Sequence, residues 1–511
     1  MQDPDTSAKE SGGKAWQVFL IASASAFGPL MVLADANERP TLLTFSFTVA
    51  AIAATGVVAW LLMRRLGLDG LGSAYAIAAF ILIVMNFGGW VRTGDVDRLP
   101  LLLAAITLGA LAYRLRRVTL VRGLMTWAAL FLVAYPLAII GGKALTSEPL
   151  NVETSASLEL SAMSSKPDIL LVVMDAYGGR NVLSEFYGYD NGPFLEELEG
   201  LGFEAPGEVL ANYGRTQLSV PTVLQLDYVS GENEVTDDDI QSLLGVLAGR
   251  SRLSSALKAQ GYRTVQVESG WLGSRCGPDV DVCIPAPWPD ETFYDAAYRS
   301  IAVGLPGLEL GRPFTNGALN AADWLMNDTA PFLADDRPDY IFAHVLLPHP
   351  PLFLNSECEP DWRGGADGFS IGRTGFDAEQ TEQVRSLYIE QVECANSLII
   401  DIARRLGSDD AALIMGDHGP DSQAQLFIQS ADWTTDQRAE RFDAFLATKV
   451  PGCDMSHIES LVNVGRRMIS CLSGDPYPDL PTHIFDIHKS AEENRVVELE
   501  IPSEFVFEVG K

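Results

Sequence analysis

Carboxylates and imidazoles follow apolar runs at three places in the second half of this 511-residue chain. Asp175 ends the run that begins at Pro167, His349 follows the run 340–348, and Asp417-His418 follow the run 411–416. Short apolar runs without alternation, bounded by Pro or Gly, are typical of strands buried on both faces of a parallel sheet. Open α/β sheets bind ligands beyond the carboxyl ends of such strands. The spacing therefore predicts a site for a divalent metal ion with oxygen and imidazole ligands, although each residue alone could simply cap its strand.

A hydroxyl that could act as a nucleophile lies between the first two of these runs. Thr216 begins a predicted amphipathic segment, Thr-Gln-Leu-Ser-Val-Pro-Thr-Val-Leu, after a turn that contains Gly214. The amino end of a helix favours an anion, and a hydroxyl bound to a divalent cation can lose its proton near neutral pH. Thr216 could therefore attack an ester, or it could be an ordinary N-cap residue. The sequence leaves both interpretations open.

The first third of the chain is too apolar for an ordinary soluble protein. It contains five apolar segments, four of which are about long enough to span a bilayer. The segments are 16–33, 42–63, 71–91, 99–113 and 123–140, the fourth being the shortest. They predict a transmembrane domain of five helices over residues 1–145.

Basic residues between the apolar segments predict the orientation of this domain. Lys14, Arg64, Arg65 and the cluster 114–122 fall on one side, whereas the opposite loops mix arginines with acidic residues. The amino terminus is therefore expected in the cytoplasm, and five crossings place everything after Lys143 outside. The weakly basic stretch before the first segment and the further spans after it argue against a cleaved signal peptide.

The rest of the chain is predicted to form a soluble domain that follows a short linker. Residues 146–165 are rich in Ser, Thr and Glu and form the predicted linker, and residues 166–511 form the predicted catalytic domain. After residue 150 the chain has 24 basic and 58 acidic residues. A surface of this charge repels nucleic acid, so a nucleic-acid partner is excluded. We interpret the acidity as a contribution to solubility only.

All six cysteines follow residue 270. This distribution favours an oxidising compartment and disulfide bonds. The predicted pairs are Cys276 with Cys283, Cys358 with Cys394, and Cys453 with Cys471. Six cysteines allow about 15 pairings, and free buried thiols are the alternative.

Apolar periodicity in the second half alternates between strands and helices, which predicts a doubly wound α/β domain. The predicted helices are 194–201, 237–260, 315–327 and 378–406, and the further predicted strands are 262–268 and 495–509. The sequence contains no G-x-G-x-x-G, Walker A or G-x-S-x-G motif. Nucleotide-binding and α/β-hydrolase functions therefore lack their characteristic loops.

Together these motifs resemble the sulfatase-like branch of the alkaline phosphatase superfamily. They are Asp175 after a buried strand, Thr216-Gln-Leu-Ser-Val-Pro, His344 and His349 before Pro-Pro, and Asp417-His418-Gly419. Five spans before such a domain further resemble lipid A phosphoethanolamine transferases and lipoteichoic acid synthases. The resemblance implies a Thr216 nucleophile and a metal ion bound by Asp175, Thr216, Asp417 and His418. It also implies a multi-pass protein of the bacterial inner membrane with its catalytic domain on the periplasmic or extracellular side.

Two departures from these families limit what the resemblance implies. Sulfatases have an Arg four residues after the residue that is converted to formylglycine, whereas here Val223 lies four residues after Ser219. Formylglycine chemistry at Ser219 is therefore disfavoured. The transferases commonly have Glu at the position of Asp175, and they have a further His after Asp-His-Gly that this chain lacks, which argues against a complete two-metal site.

The sequence thus predicts a membrane-anchored, metal-dependent transferase or hydrolase that acts on envelope or lipid-linked phosphoesters. Thr216 and His349 are the predicted catalytic residues, and His344, Ser219 and Arg180 are assigned to substrate binding. The metal ion is Zn, Mn, Mg or Ca, the partner is the lipid bilayer, and the oligomeric state stays open. The alternatives are a sulfuric ester hydrolase and a non-catalytic envelope-assembly protein that retains the fold.

Overall fold

The computed structural model describes most of the chain and defines two compact units, one of helices before Pro149 and one after it. The described residues are 15–27, 30–31, 34, 42–65, 98–115, 118–146, 158–163, 165–230, 237–286, 319–333, 337–361, 363, 371–372, 376–423, 425, 428–489 and 494–502. The predicted boundaries at residues 145 and 165 stay predictions.

The first unit is helical in its described residues. Its helices are α1 (Ala15–Ser23), continued by a short 3-10 turn (Ala24–Ala26), α2 (Leu42–Arg65), α3 (Arg98–Leu115) and α4 (Thr119–Thr146). α1 packs against α2 and α4. Gly56 permits the close approach of α1 and α2, because a Cβ there would lie 2.7 Å from the ring of Phe19.

One helix among the described residues, Thr119–Leu145, is long and apolar enough to cross a membrane. Its apolar side chains include the exposed Leu120, Trp127 and Phe131, as expected of a helix whose outer face contacts lipid. A shorter apolar helix covers Thr48–Leu62. The predicted segment 71–91 lies outside the described residues, so the count of five spans stays a prediction.

The second unit is built on a mixed six-stranded sheet with the order β3-β2-β4-β1-β5-β6. All neighbouring strands are parallel except β5 and β6. The strands are β1 (Ile169–Met174), β2 (Arg263–Val267), β3 (Val282–Ile284), β4 (Asp339–Val345), β5 (Ala411–Gly416) and β6 (Leu446–Lys449). A separate antiparallel pair consists of β7 (Ile484–Lys489) and β8 (Asn494–Leu499).

Helices connect and cover these strands. In chain order they are α5 (Arg180–Tyr187), α6 (Gly192–Gly200), α7 (Thr216–Gln225), α8 (Asp237–Leu247), α9 (Arg252–Ala259), α10 (Asn320–Asn327), α11 (Ala330–Leu333), α12 (Ala378–Ala403), α13 (Thr435–Phe442) and α14 (Val462–Ser473). Alternate residues of β1 belong to two apolar cores, one on each face of the sheet. β1 is therefore buried on both faces of the sheet, as its continuous apolar run predicts.

The register of the three central strands aligns their carboxyl ends. Met174 at the end of β1 pairs with Val345 of β4 on one side and with Gly416 of β5 on the other. The predicted central position of β1 is thus confirmed, and Asp175 and Asp417 follow directly at neighbouring strand ends.

Two parts of the predicted secondary structure differ from the structure. The predicted helix 237–260 is two helices, because Gly249 has a φ of 91° and Ser251 caps α9 by accepting a hydrogen bond from the Ser254 N–H. The predicted terminal strands at 495–509 include most of β8, and residues 503–509 lie outside the described residues. The partner strand β7, which starts at Ile484, was not predicted. β7 alternates polar and apolar residues over only a few positions, and its pairing with β8 is what defines it.

All three predicted disulfide bonds are present. They join Cys276 to Cys283, Cys358 to Cys394, and Cys453 to Cys471, and the described chain has no free cysteine. All three lie in the second unit, in agreement with an oxidising compartment for that unit.

Candidate active site

The ends of β1 and β5 bring together three candidate metal ligands. Asp175, Asp417 and His418 are all buried, and one ligand atom from each lies within 4.8 Å of the other two. The Nε2 atom of His418 lies 3.3 Å from Oδ2 of Asp417 and 3.9 Å from Oδ1 of Asp175. Carboxylate oxygens and a neutral imidazole nitrogen suit Zn²⁺ and other divalent cations.

Two buried oxygens at this cluster have no hydrogen-bond partner in the structure. They are Oδ1 of Asp175 and Oδ2 of Asp417, the atoms that face Nε2 of His418. A buried carboxylate oxygen without a partner is costly, unless a cation occupies the space that it faces. The donor set and its orphaned oxygens therefore fit a single divalent metal ion.

The backbone fixes the orientation of Asp417. Its second oxygen, Oδ1, accepts hydrogen bonds from the N–H groups of Ala176 and His418, at 2.9 and 3.0 Å. Ala176 adopts a left-handed φ of 59°, which costs on the order of 1 kcal/mol for a residue other than Gly. This strained turn after β1 aims one backbone donor at Asp417 and leaves Oδ2 free for a ligand.

The protonation state of His418 follows from its neighbours. Nδ1 lies 3.0 Å from the carbonyl oxygen of Gly419, which can only accept, so Nδ1 carries a proton. Burial, and then the charge of Arg441, lower the pKa of His418 well below its ordinary value. The ring is therefore neutral, and its Nε2 lone pair points toward the two carboxylates. A metal-binding His whose other nitrogen donates to a carbonyl is the usual arrangement.

Gly419 must be a glycine for this turn to form. A Cβ at this position would lie 2.0 Å from the carbonyl oxygen of Glu440. The Gly of the Asp-His-Gly motif thus has a packing role, and the two preceding residues carry the candidate ligand atoms.

Thr216 is the first residue of α7, and its hydroxyl lies at the cluster. Thr216 Oγ1 is 3.2 Å from His418 Nε2. Arg215, in extended conformation, is the N-cap residue of this helix, and its side chain makes no capping hydrogen bond. The Thr216 hydroxyl therefore contacts the candidate metal ligand, at the helix end where free N–H groups favour an anion.

Ser219 lies one turn further along α7 and is almost fully buried. Its hydroxyl donates a 2.6 Å hydrogen bond to the carbonyl oxygen of Asp417. This bond ties the helix of Thr216 to the strand end that carries two ligands. The predicted role of Ser219 in substrate binding stays a prediction, and in the structure its hydroxyl is directed at the backbone.

The two histidines of the β4 end have different surroundings. His344 is fully buried within β4, and its Nε2 lies 3.3 Å from Oδ2 of Asp175 while the ring packs edge-on against Trp271. His349 is exposed beyond the strand, and its Nδ1 donates a 2.6 Å hydrogen bond to the carbonyl oxygen of Pro350. The exposed imidazole is the one that an incoming substrate can reach.

The two carboxylates of the cluster have pKa values shifted in opposite directions. Burial raises the pKa of Asp175, but the nearby His349 and His344 side chains outweigh this effect and hold that pKa well below its ordinary range. Burial and the nearby charge of Asp175 raise the pKa of Asp417 to about 6. Such divergence is expected of two carboxylates that share one site, because their like charges disfavour the ionisation of both.

Arg180 lies at the start of α5 and is exposed. Its Nη2 atom lies beside Gly192, 3.6 Å from the position that a Cβ would take there. In the part of the chain that the structure describes, no hydrogen bond or ion pair joins Arg180 to the ligand cluster. Its assignment to substrate binding stays a prediction.

One residue at the cluster has no sequence motif to mark it. Arg441 is buried near the end of α13, and its Nη2 lies 3.2 Å from His418 Nε2. α13 reads as an ordinary polar helix, Thr-Asp-Gln-Arg-Ala-Glu-Arg-Phe, in which any arginine would be assigned to the surface. Only the packing of α13 against the turn after β5 reveals the position of Arg441.

A second group of candidate ligands is explained by a disulfide bond. Glu268, Cys276 and Cys283 lie close together, but the two sulfurs are bonded to each other. This group therefore offers no thiolate to a metal ion.

No family model matches this chain, and no curated protein matches it. It is similar to the C-terminal periplasmic domain of EcEptC from Escherichia coli in complex with Zn, at 14% identity over 67% of this chain and 96% of that chain, with a TM-score of 0.42. It is similar to the integral membrane protein lipooligosaccharide phosphoethanolamine transferase A from Neisseria meningitidis, at 12% identity over 90% and 96% of the two chains and a TM-score of 0.36.

The chain is also similar to the phosphonate monoester hydrolase SpPMH from Silicibacter pomeroyi, at 12% identity over 63% and 80% of the two chains and a TM-score of 0.40. All three neighbours are alkaline phosphatase superfamily members, the superfamily that the motifs of this chain resemble. The function proposed below rests on the site itself and not on this likeness.

Proposed function

We propose that this protein is a membrane-anchored, metal-dependent enzyme that transfers or hydrolyses a phosphoryl-type ester through Thr216. One observation carries the proposal. Two buried carboxylate oxygens without partners, the Nε2 lone pair of a neutral His418 and the hydroxyl of Thr216 converge at the amino end of α7. This convergence supplies both a cation site and a nucleophile at one place.

Asp175, Asp417 and His418, with the Thr216 hydroxyl, would hold the metal ion. When bound, a divalent cation lowers the pKa of a hydroxyl that it touches and offsets negative charge on non-bridging oxygens. The amino end of α7 adds its dipole to the same task. The Thr216 hydroxyl gives up its proton to solvent, and Oγ1 forms a bond to phosphorus as the bond to the leaving oxygen breaks. His349, the exposed imidazole, would give the leaving oxygen a proton.

The covalent Thr216 ester is then released to water or to an acceptor. An apolar helix of spanning length favours a lipid-linked donor or acceptor, because anchoring keeps the catalytic unit at the membrane surface. Transfer between lipid-linked groups is therefore the reaction that we propose, in a catalytic unit that faces the outside of the inner membrane.

Phosphoryl chemistry is preferred to sulfatase chemistry for a reason visible at Ser219. That residue is 1% exposed, and its hydroxyl donates a hydrogen bond to the carbonyl oxygen of Asp417. Oxidation to formylglycine would remove this hydrogen bond from the strand end that carries two ligands. No contact of the described residues favours the sulfate ester or the non-catalytic alternative.

Trapping the covalent intermediate tests the proposed function. The purified full chain is incubated with a slowly released chromogenic phosphodiester, such as bis(p-nitrophenyl) phosphate, quenched in acid and digested for mass spectrometry. We expect a phosphoryl adduct on Thr216, because only this hydroxyl of α7 faces the ligand cluster. An adduct on Ser219, or turnover without an adduct on either residue, would show that the nucleophile is wrongly assigned.

The proposed orientation has its own test. A reporter that is active only outside the cytoplasm, fused after Lys166, should be active, whereas fusion after Arg117 should be silent. The basic cluster 114–122 keeps its loop in the cytoplasm, and the disulfide-bonded unit after the spans requires an oxidising side. The reverse pattern would contradict an extracytoplasmic catalytic unit.

A further inference from the structure

Arg441 connects the two turns that carry the nucleophile and the histidine ligand. Its Nε donates to the carbonyl oxygen of Gly214 at 2.8 Å, and its Nη1 donates to that of Gly419 at 2.9 Å. Gly214 lies two residues before Thr216, and Gly419 directly follows His418. Arg441 as a whole is 5% exposed, and its Nη2 lies 3.2 Å from His418 Nε2.

The contact of Nη2 with His418 cannot persist in a loaded site. Nδ1 of His418 carries a proton and donates a hydrogen bond to the carbonyl oxygen of Gly419, so Nε2 has a single lone pair. That lone pair serves either an N–H of Arg441 or a metal ion. Metal binding therefore leaves Nη2 of Arg441 as a buried, charged donor that needs another acceptor.

The buried carboxylates of Asp421 and Asp486 also lie near Arg441, but the contact of Nη2 with His418 directs this donor to the point where Thr216 reacts. Thr216 Oγ1 and Arg441 Nη2 each lie 3.2 Å from the same nitrogen, His418 Nε2. A phosphoryl group within bonding distance of the hydroxyl brings its non-bridging oxygens next to this donor. We propose that Arg441 binds a non-bridging oxygen of the phosphoryl group through Nη2 and is thus a substrate-binding residue.

The charges of the site favour the same role. The carboxylates of Asp175 and Asp417 neutralise one divalent cation. Among the described residues, the other group of candidate ligands is the one with two disulfide-bonded cysteines, which offers no thiolate to a second ion. An attacked phosphodiester and an ionised hydroxyl add negative charge to this balance. The neighbouring Arg215 is partly exposed and lies 3.2 Å from Asp486. Arg441 is the buried cation at the site that can offset this charge.

This inference rests on the proposed function and adds to it the residue that binds the phosphoryl oxygen. The competing role is positioning only, since Arg441 also holds two carbonyl oxygens. The two roles predict opposite effects on the metal ion. Loss of a merely positioning residue loosens His418 and weakens metal binding, whereas removal of a cation beside the metal leaves its affinity unchanged or raises it.

The test uses the full-length chain in detergent and the variant Arg441→Gln. Affinities for Zn²⁺, Mn²⁺, Mg²⁺ and Ca²⁺ are measured first, and inorganic phosphate is then titrated into protein saturated with the ion that binds most tightly. We expect Arg441→Gln to bind that ion at least as tightly as the wild type and to bind phosphate about 10- to 100-fold more weakly, the range for a lost hydrogen bond to a charged group. If the Gln variant does not fold, Arg441→Lys is measured by the same criteria, and the expected loss is about 10-fold because a lysine keeps the charge without the planar donors.

Arg466→Gln is the matched control. Arg466 is also buried and donates to two backbone carbonyl groups, those of Pro478 and Leu226, in a different part of the unit. Its loss should lower stability and leave the phosphate affinity of the loaded protein unchanged.

Each remaining outcome overturns at least one of the two proposals. Equal phosphate affinity in wild type and Arg441→Gln, absent phosphate binding in a metal-loaded wild type, or weaker metal binding in the variant overturns the role of Arg441 and leaves the proposed function standing. A wild type that binds none of the four ions overturns the proposed function together with this inference.

Discussion

Thr216→Ala is expected to abolish turnover of a phosphodiester, with a fall in kcat on the order of 10⁴-fold or more. The variant lacks the α7 hydroxyl that contacts the side chain of a candidate ligand, so the covalent intermediate cannot form. Asp175, Asp417 and His418 remain, and metal binding should weaken but persist. Steady-state kinetics, intermediate trapping and metal content measured on one preparation separate these effects.

Two variants serve as controls for Thr216→Ala. Thr216→Ser keeps a hydroxyl and should retain both measurable turnover and the adduct. Ser219→Ala removes one hydrogen bond, to the Asp417 carbonyl oxygen, and should cost about 1 kcal/mol of stability and at most a few kcal/mol in the activation barrier. An inactive Ser219→Ala enzyme beside an active Thr216→Ala enzyme would reverse the assignment of the two hydroxyls.

Asp417→Asn and His418→Ala are each expected to remove bound divalent cation and activity together. Asp417→Asn retains an oxygen for the N–H groups of Ala176 and His418, so it removes the charge with little loss of backbone support. Asp417→Ala would leave both donors unpaired, and its effect on folding would obscure its effect on metal binding.

Metal-dependent stabilisation provides the measurement. At a concentration of about 100 times Kd, a ligand stabilises the folded state by roughly 2.7 kcal/mol. The wild type should therefore unfold at a higher temperature when the ion is added, and the two variants should show no such shift. Glu268→Gln, in the group whose cysteines are disulfide-bonded, is the control and should respond as the wild type does. Full metal occupancy in both site variants would rule out the proposed ligands.

The positions of the ligands were predictable because they depend on local sequence and on one rule of sheet geometry. Continuous apolar runs identify β1, β4 and β5, and parallel strands end at one edge, so Asp175 and Asp417 were expected at the same edge of the sheet. The cysteine pairs were predictable for a related reason. Each pair is close in sequence or lies beside a predicted element, and the distribution of the cysteines indicated an oxidising compartment.

The split between α8 and α9 shows where local patterns fail. Apolar periodicity continues across residues 248–251, yet Gly249 adopts a positive φ and Ser251 caps the next helix. The periodicity of one helix and that of two helices with a short break are nearly the same, and the packing decides between them.

The sequence by itself determined the strand ends, the residue types that follow them and the apolar first third. These features are set by contacts along the chain or by regular sheet geometry. Only the tertiary structure decided which oxygen of Asp417 is free, which nitrogen of His418 carries the proton, and that Arg441 lies at the cluster. Those properties depend on hydrogen bonds such as the one from Arg441 to Gly214, between residues 227 positions apart in the chain. No local pattern encodes such contacts, because the fold brings the partners together only after the sheet and its helices have packed.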